Sequence, residues 1–313
     1  MSSATDRWHL GLLALAILLP IVMAGCGGDD ASSTSGPSAP LDVVASFYPL
    51  QFAVERVGGD RVSVRNLTPA GAEPHDLELT GRDLASLQHA DLVVYLSGFS
   101  PAVDDAIDSV DATALDVAAL ADLNLELTPI EEGETSGDGS AIDPHFWLDP
   151  TRLSTVAGAI ADRLAAMDPE HASEFATNAA ALADDLDVLD ADYRQGLESC
   201  ASRDIVTSHN AFGYLAQRYA MKQIGITGLS PDDEPSPADL AAVTRFVRDH
   251  DVTTIYFETL VSPAIAETVA AETGASTAVL DPIEGLNDES AGSDYLGIMR
   301  SNLENLRHGQ ECS

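Results

Sequence analysis

Apolar and polar positions along the chain alternate between two periods. Arg61 to Leu67 switches charged and apolar residues one by one, as a half-buried strand does. Leu41 to Ser46 and Leu92 to Leu96 are short apolar runs of strand length. Between them, Pro49 sits in the first turn of an expected helix that Gly58 ends. Asp83 to His89 reads as a further helical turn or two, and Val103 to Leu127 continues in the same strand–helix style. The pattern restarts in the second half. Asp204 to Ser208 (DIVTS), Thr253 to Phe257 and Ser276 to Leu280 are expected strands. Asn210 to Ala220, the stretch from Ser236-Pro237 to His250, and the stretch from Ser262-Pro263 to Gly274 are the helices they feed. A last helix covers about Ser293 to His308. Strands alternating with helices predict an α/β fold with parallel sheets flanked by helices, present twice.

The longest helical pattern lies between the halves. From Asp168-Pro169, the residues Phe175, Ala179, Leu182, Leu186, Leu189, Tyr193 and Leu197 recur at steps of three or four. Close to thirty residues at 1.5 Å each would make a rod of roughly 45 Å. Such a helix can join two lobes and hold their separation, and a coiled-coil partner is the competing reading. The expected division is a leader (1–26), a flexible tether (27–40), an N-terminal α/β lobe (41–167), a linking helix (168–199) and a C-terminal α/β lobe (200–313).

Charge narrows the partners. The 313 residues carry 15 Lys and Arg against 51 Asp and Glu, a net charge of −36. Phosphate backbones and anionic lipid need a basic surface, so no nucleic acid is expected. Leu10 to Met23 is nearly unbroken apolar sequence, too short to span a bilayer comfortably and ending in small residues. Met23-Ala24-Gly25-Cys26 resembles a bacterial lipoprotein signal, in which Cys26 is acylated and the chain hangs outside the membrane. A cleaved secretory peptide is the plainer alternative. Cys200 and Cys312 then remain in an oxidising compartment, and a disulfide between them is expected, against two free thiols. Pro129 to Ile142 is rich in Gly, Ser and acid and reads as a surface loop.

Four residues share one position. His75, His145, His209 and Asp281 each follow a strand or sit in the loop after it, where open α/β sheets place ligands. Three imidazoles and a carboxylate suit a four-coordinate zinc ion, whereas manganese favours more oxygen. Glu258 is the rival fourth ligand, or an acceptor that orients an imidazole. His89, His171, His250 and His308 lie on helices or at their ends, where ordinary surface roles are expected.

GAEPHDLELTGRDLASLQHAD, DPHFWLDP, TSHNAFGYLA and the run from TTIYFETLVSP through TAVLDPIEGL resemble the substrate-binding lipoproteins of zinc-uptake ABC transporters (ZnuA-like). The resemblance covers essentially the whole mature chain. It implies two α/β lobes joined by a rigid helix, with zinc held between them by His75, His145, His209 and Asp281. In manganese-binding relatives the position of His209 is a glutamate, so this chain sides with zinc. Zinc relatives often carry a His-rich loop before the second ligand, and here Pro129 to Ile142 has none. The expected protein is not an enzyme. It is a monomeric, membrane-anchored, extracytoplasmic zinc-binding protein that serves an ABC permease. A manganese or iron carrier of the same family, a zinc hydrolase with Asp281 as base, and an adhesin on the same scaffold are the rivals.

Overall fold

The computed structural model describes residues 39–126, 142–231 and 233–313. Cys26 and residues 27–38 of its tether, and residues 129–141 of the acidic loop, lie outside them.

The first lobe runs β1 (Leu41–Ala45), α1 (Tyr48–Gly58), β2 (Val62–Asn66), α2 (Gly81–His89), β3 (Leu92–Tyr95), α3 (Pro101–Ser109) and β4 (Ala114–Asp116). Its four strands are all parallel, in the order β2-β1-β3-β4. The second lobe repeats the arrangement. Strands β5 (Asp204–Thr207), β6 (Lys222–Gly225), β7 (Thr254–Phe257) and β8 (Ser276–Val279) pair in parallel as β6-β5-β7-β8. Helices α6 (Gly213–Arg218), α7 (Pro237–Asp249), α8 (Ala264–Thr273) and α9 (Tyr295–Gly309) alternate with them or follow. In each sheet the chain reverses its direction of travel beside the first strand, which opens a crevice at the carboxyl ends of the strands.

Successive residues of β1 face opposite ways, and both faces are covered. Val44 joins Val93, Leu87 and Val103 in an outer core, and Val43 and Ala45 join the main core. Short strands with apolar residues on both faces are what a buried parallel sheet requires. Val206, Ile255, Val243 and Val269 form the corresponding outer core of the second sheet. The helix starts follow their caps. Thr80 with Asp83 and Ser236 with Asp239 form reciprocal capping boxes, and Asp149 accepts from the Thr151 N–H at the start of α4 (Pro150–Met167).

The main core is continuous across both lobes. Phe52 of α1, Leu153 and Ile160 of α4, Tyr295 and Met299 of α9, and a stripe on α5 (Ala172–Gly196) all contribute. That stripe is Phe175, Leu182, Leu186, Leu189 and Tyr193, the periodic residues of the sequence, buried inside the chain rather than against a coiled-coil partner. The helix is shorter than expected. Pro169–His171 forms a 3-10 turn and α5 covers 25 residues, about 37 Å at 1.5 Å each. Tyr193 donates its hydroxyl hydrogen to the Met299 carbonyl at 2.7 Å, which fastens α5 to α9. Cys200 and Cys312 form a disulfide that ties the end of the chain to the start of the second lobe.

Two further elements depart from expectation. The helix after β5 covers only Gly213–Arg218, and β6 follows it unannounced, because Lys222-Gln223-Ile224-Gly225 has too little apolar content to signal an edge strand. No helix among the described residues is long and apolar enough to cross a membrane.

Candidate metal centre

His75, His145, His209 and Glu284 each aim one donor atom at a common point, with those atoms all within 4.8 Å of one another. His75 comes from the loop after β2, and His145 from the segment after β4, just before the 3-10 turn Phe146–Leu148. His209 follows β5 and Glu284 follows β8. The carboxyl ends of strands from both sheets therefore meet there. All four side chains are buried, His145 and Glu284 completely.

The distances describe a tight cluster. Nε2 of His75 and Nε2 of His145 are 3.2 Å apart. Oε1 of Glu284 lies 3.0 Å from Nε2 of His145, and 3.4 Å from Nε2 of both His75 and His209. Nε2 of His209 and both Glu284 oxygens have no partner at a hydrogen-bonding angle. Burying such atoms unpaired is costly, and a cation at the common point would satisfy them together.

Two imidazoles are oriented from behind. Asp143 Oδ1 accepts from the backbone N–H of His145 at 2.9 Å and lies 2.7 Å from its Nδ1. Glu258 Oε1 lies 2.7 Å from Nδ1 of His209 and accepts from the Ser208 hydroxyl at 2.8 Å. A carboxylate at Nδ1 holds the proton there and leaves the Nε2 lone pair directed at the cluster. Phe99 packs against His75 with ring centroids 4.4 Å apart, and Trp147 against His145 at 5.2 Å. The loops are also fastened across the lobes. Trp147 Nε1–H donates to the Pro282 carbonyl at 2.7 Å, and the Gly71 N–H donates to the Leu286 carbonyl at 2.9 Å.

The electrostatics match a cation site. Burial disfavours the charged ring of His145, but the hydrogen-bonded Asp143 carboxylate and the adjacent Glu284 carboxylate overcome it and raise its pKa. Burial works against His209 as well, and the charges of Glu258 and Glu284 raise it well above the usual value. Glu284 is pulled well below the carboxylate range, against its burial, by His209, His145 and His75. Glu73, whose Oε1 accepts from the His75 N–H at 3.1 Å, is pushed up to about 10 by burial and by the charge of Glu284.

Asp281 is not in this set, and Glu284 stands in the fourth place instead. The Asp281 carboxylate is engaged by its own loop and by the loop after β7: Oδ1 accepts from the Ile283 N–H at 2.7 Å, and Oδ2 from the Thr259 hydroxyl at 3.2 Å. Its backbone N–H donates to Asn302 at 2.9 Å. It braces the turn through Pro282 and Ile283, the latter at φ 61°, that swings Glu284 inward. Burial pushes Asp281 up to about 6. Glu284 lies three residues beyond the first acid after β8, and that turn is what periodicity does not reveal. Among the described residues no other group of three or more ligand-type side chains converges. His171 and His250 pair with Asp168 and Asp204, and His89 approaches the Ala85 carbonyl.

Comparison with known proteins agrees with this architecture. Residues 43–309 match the family described as zinc-uptake complex component A, periplasmic (ZnuA). The chain is 36% identical over 306 residues to the zinc-binding lipoprotein AdcA of Streptococcus pneumoniae, covering 94% of this chain but 60% of that protein. It is 36% identical over 314 residues to the high-affinity zinc uptake system protein ZnuA of Bacillus subtilis, covering 96% of this chain and 97% of the relative. The solved structure of the laminin-binding protein Lmb of Streptococcus agalactiae, described as bifunctional with adhesin and metal transporting activity, superposes with a TM-score of 0.76. It is 33% identical, with 87% of this chain and 99% of that one covered. With nearly its whole described length matched, the chain belongs to the ZnuA family of zinc-uptake components.

Proposed function

We propose that the protein captures zinc outside the cytoplasm and delivers it to an ABC permease, with His75, His145, His209 and Glu284 as the ligands. The observation that carries the reading is the convergence of three Nε2 atoms and one carboxylate within 4.8 Å, all buried. Three nitrogens and one oxygen at four-coordinate spacing fit zinc, and a manganese ion would be short of oxygen donors. Asp143 and Glu258 supply the outer contacts that such ligands usually have. Acyl chains on Cys26 would anchor the chain, and residues 27–40 would let it reach the permease, as a monomer.

The role is binding rather than catalysis. A hydrolase would keep one coordination place for water and a free carboxylate as base, whereas Asp281 is engaged by Ile283 and Thr259, and Glu284 completes the fourth place. An adhesin role is favoured by the likeness to Lmb, and its signature would be laminin binding that survives loss of His75.

The test is direct. The soluble chain from Gly27 onward is stripped with chelator and titrated with zinc in competition with manganese. One tight zinc equivalent, weak manganese and loss of the tight site in His209→Ala are expected. Manganese bound as tightly as zinc would assign a different cargo, and the absence of any tight metal would end the reading.

A further inference from the structure

Gly213 opens α6, four residues after His209, in a helical stretch where alanine is the better helix former. Its backbone is not in the left-handed region, so only space explains the glycine. A Cβ there would run into Oδ2 of Asp143, and would stand 2.7 Å from Cδ2 of Leu125. Both belong to the other lobe. Leu125 and Asp143 both border a cavity of about 270 Å³, into which the apolar Leu125 side chain, held by no hydrogen bond, can turn. Asp143 has less freedom, because its other oxygen is tied to the backbone N–H and the ring of His145. Any shift of that carboxylate is transmitted to a ligand of the cluster.

The rest of α6 is held against the same segment. The Tyr214 hydroxyl oxygen accepts from the N–H groups of Asn124 at 3.1 Å and Leu125 at 3.3 Å, and Arg152 stacks over the Tyr214 ring at 4.4 Å. Arg218 reaches Asp149 and Asp190. With α6 pinned in this way, a side chain at position 213 cannot be relieved by backing the helix away.

We propose that Gly213 is a positioning residue for the metal centre: its missing Cβ seats the Asp143 carboxylate, so that α6 of the second lobe sets the tautomer and ring orientation of His145 in the first. The inference rests on the zinc reading for its affinity effects, but its effect on His145 exists without metal.

The experiment compares Gly213→Ala, Asp143→Ala and the double variant in the mature chain. Zinc affinity is measured by chelator competition, and the ¹⁵N imidazole shifts of His145 are recorded in metal-free protein at alkaline pH. Gly213→Ala is expected to lose about 10–100-fold in zinc affinity and to lose the Nδ1–H tautomer preference of His145. In the Asp143→Ala background the same change is expected to cost nothing further, since the group through which it acts is gone. A folded Gly213→Ala with native affinity and an unchanged His145 tautomer overturns the proposal. So does an additive loss in the double variant. If Gly213→Ala alone does not fold, the double variant, with the obstructing carboxylate removed, must fold and bind as Asp143→Ala does; its failure also overturns the proposal. Were zinc not bound by the parent chain, the zinc reading would fail, and the His145 shifts would still decide the role of Gly213.

Discussion

Nδ1 of His209 stands 2.7 Å from Oε1 of Glu258, with both side chains almost fully buried, and the glutamate comes from the end of the neighbouring strand β7. The pair couples His209, just after one strand, to a carboxylate just after the next, so turning the ring would leave the Ser208 hydroxyl as the remaining partner of that oxygen.

Glu258→Gln keeps an oxygen that can accept from Nδ1–H but removes the charge, and Glu258→Ala removes both. Zinc affinity is expected to fall by about 10-fold in the first and about 100-fold in the second. Competition against a chelator of known affinity measures both. Equal affinities in all three proteins would show that the Glu258 contact does not tune the site.

Glu284 and Asp281 are both buried acids after β8, yet their surroundings predict opposite results. Glu284→Gln removes the anionic donor facing three imidazoles, so tight zinc binding is expected to be lost or reduced by more than about 100-fold. Asp281→Asn retains an oxygen for the Ile283 N–H. Its zinc affinity is expected to stay near native, with about 1 kcal/mol lost in unfolding stability. Calorimetric titration and denaturant melts of the two variants separate the roles. The reverse pattern would place Asp281 in the site after all.

These two acids mark the limit of what the sequence makes legible. His75, His145 and His209 could be picked out as histidines in the segments that follow strands, although only His209 stands directly after its strand, β5, and the loops that bring His75 and His145 to it are long. The fourth member depends on a turn with Ile283 at positive φ, a conformation a β-branched residue rarely adopts and no local pattern announces. The parallel sheets were readable because β1, β3, β5 and β7 are apolar on both faces. Edge strand β6 was not, because Lys222 and Gln223 give it neither a continuous nor an alternating pattern. The contacts of Trp147 with Pro282, and of Gly213 with Asp143, join residues far apart in the chain and leave no periodic trace at all.

The disulfide offers a control on stability. Cys200 and Cys312 are separated by 112 residues, so the bond removes a large closed loop from the freedom of the unfolded chain. Cys200→Ser with Cys312→Ser is expected to lose about 3–4 kcal/mol of unfolding stability. Zinc stoichiometry should be unchanged, because the bridge lies at the junction of α5 and α9 and not among the ligand loops. A loss of the zinc site along with stability would tie the carboxyl-terminal tail to metal capture.

The protonation state of the cluster predicts how zinc and pH compete. In the metal-free chain the pKa values of His145 and His209 are raised by Asp143, Glu258 and Glu284 despite burial. Their contribution to stability is fully present below about pH 6.5, the unfolded value, and is lost as pH rises through the higher folded values. Glu284 is depressed, so its contribution is present above about pH 4.3 and is lost as pH falls through its folded value. For these groups the metal-free protein is therefore best supported between about pH 4.3 and 6.5. Zinc requires neutral imidazoles, so it must displace the same protons, and its affinity should rise across the window in which the proton-linked support fades. The thermal shift produced by a fixed excess of zinc is expected to grow as pH rises above about 6.5, because the raised pKa values of His145 and His209 delay the loss of their protons beyond the ordinary imidazole range. Binding enthalpies should depend on the ionisation heat of the buffer, reporting released protons. A thermal shift that stayed constant over that rise in pH, with buffer-independent enthalpy, would mean that the histidines bind no protons in the metal-free state and that the charges of Glu258 and Glu284 are balanced in another way.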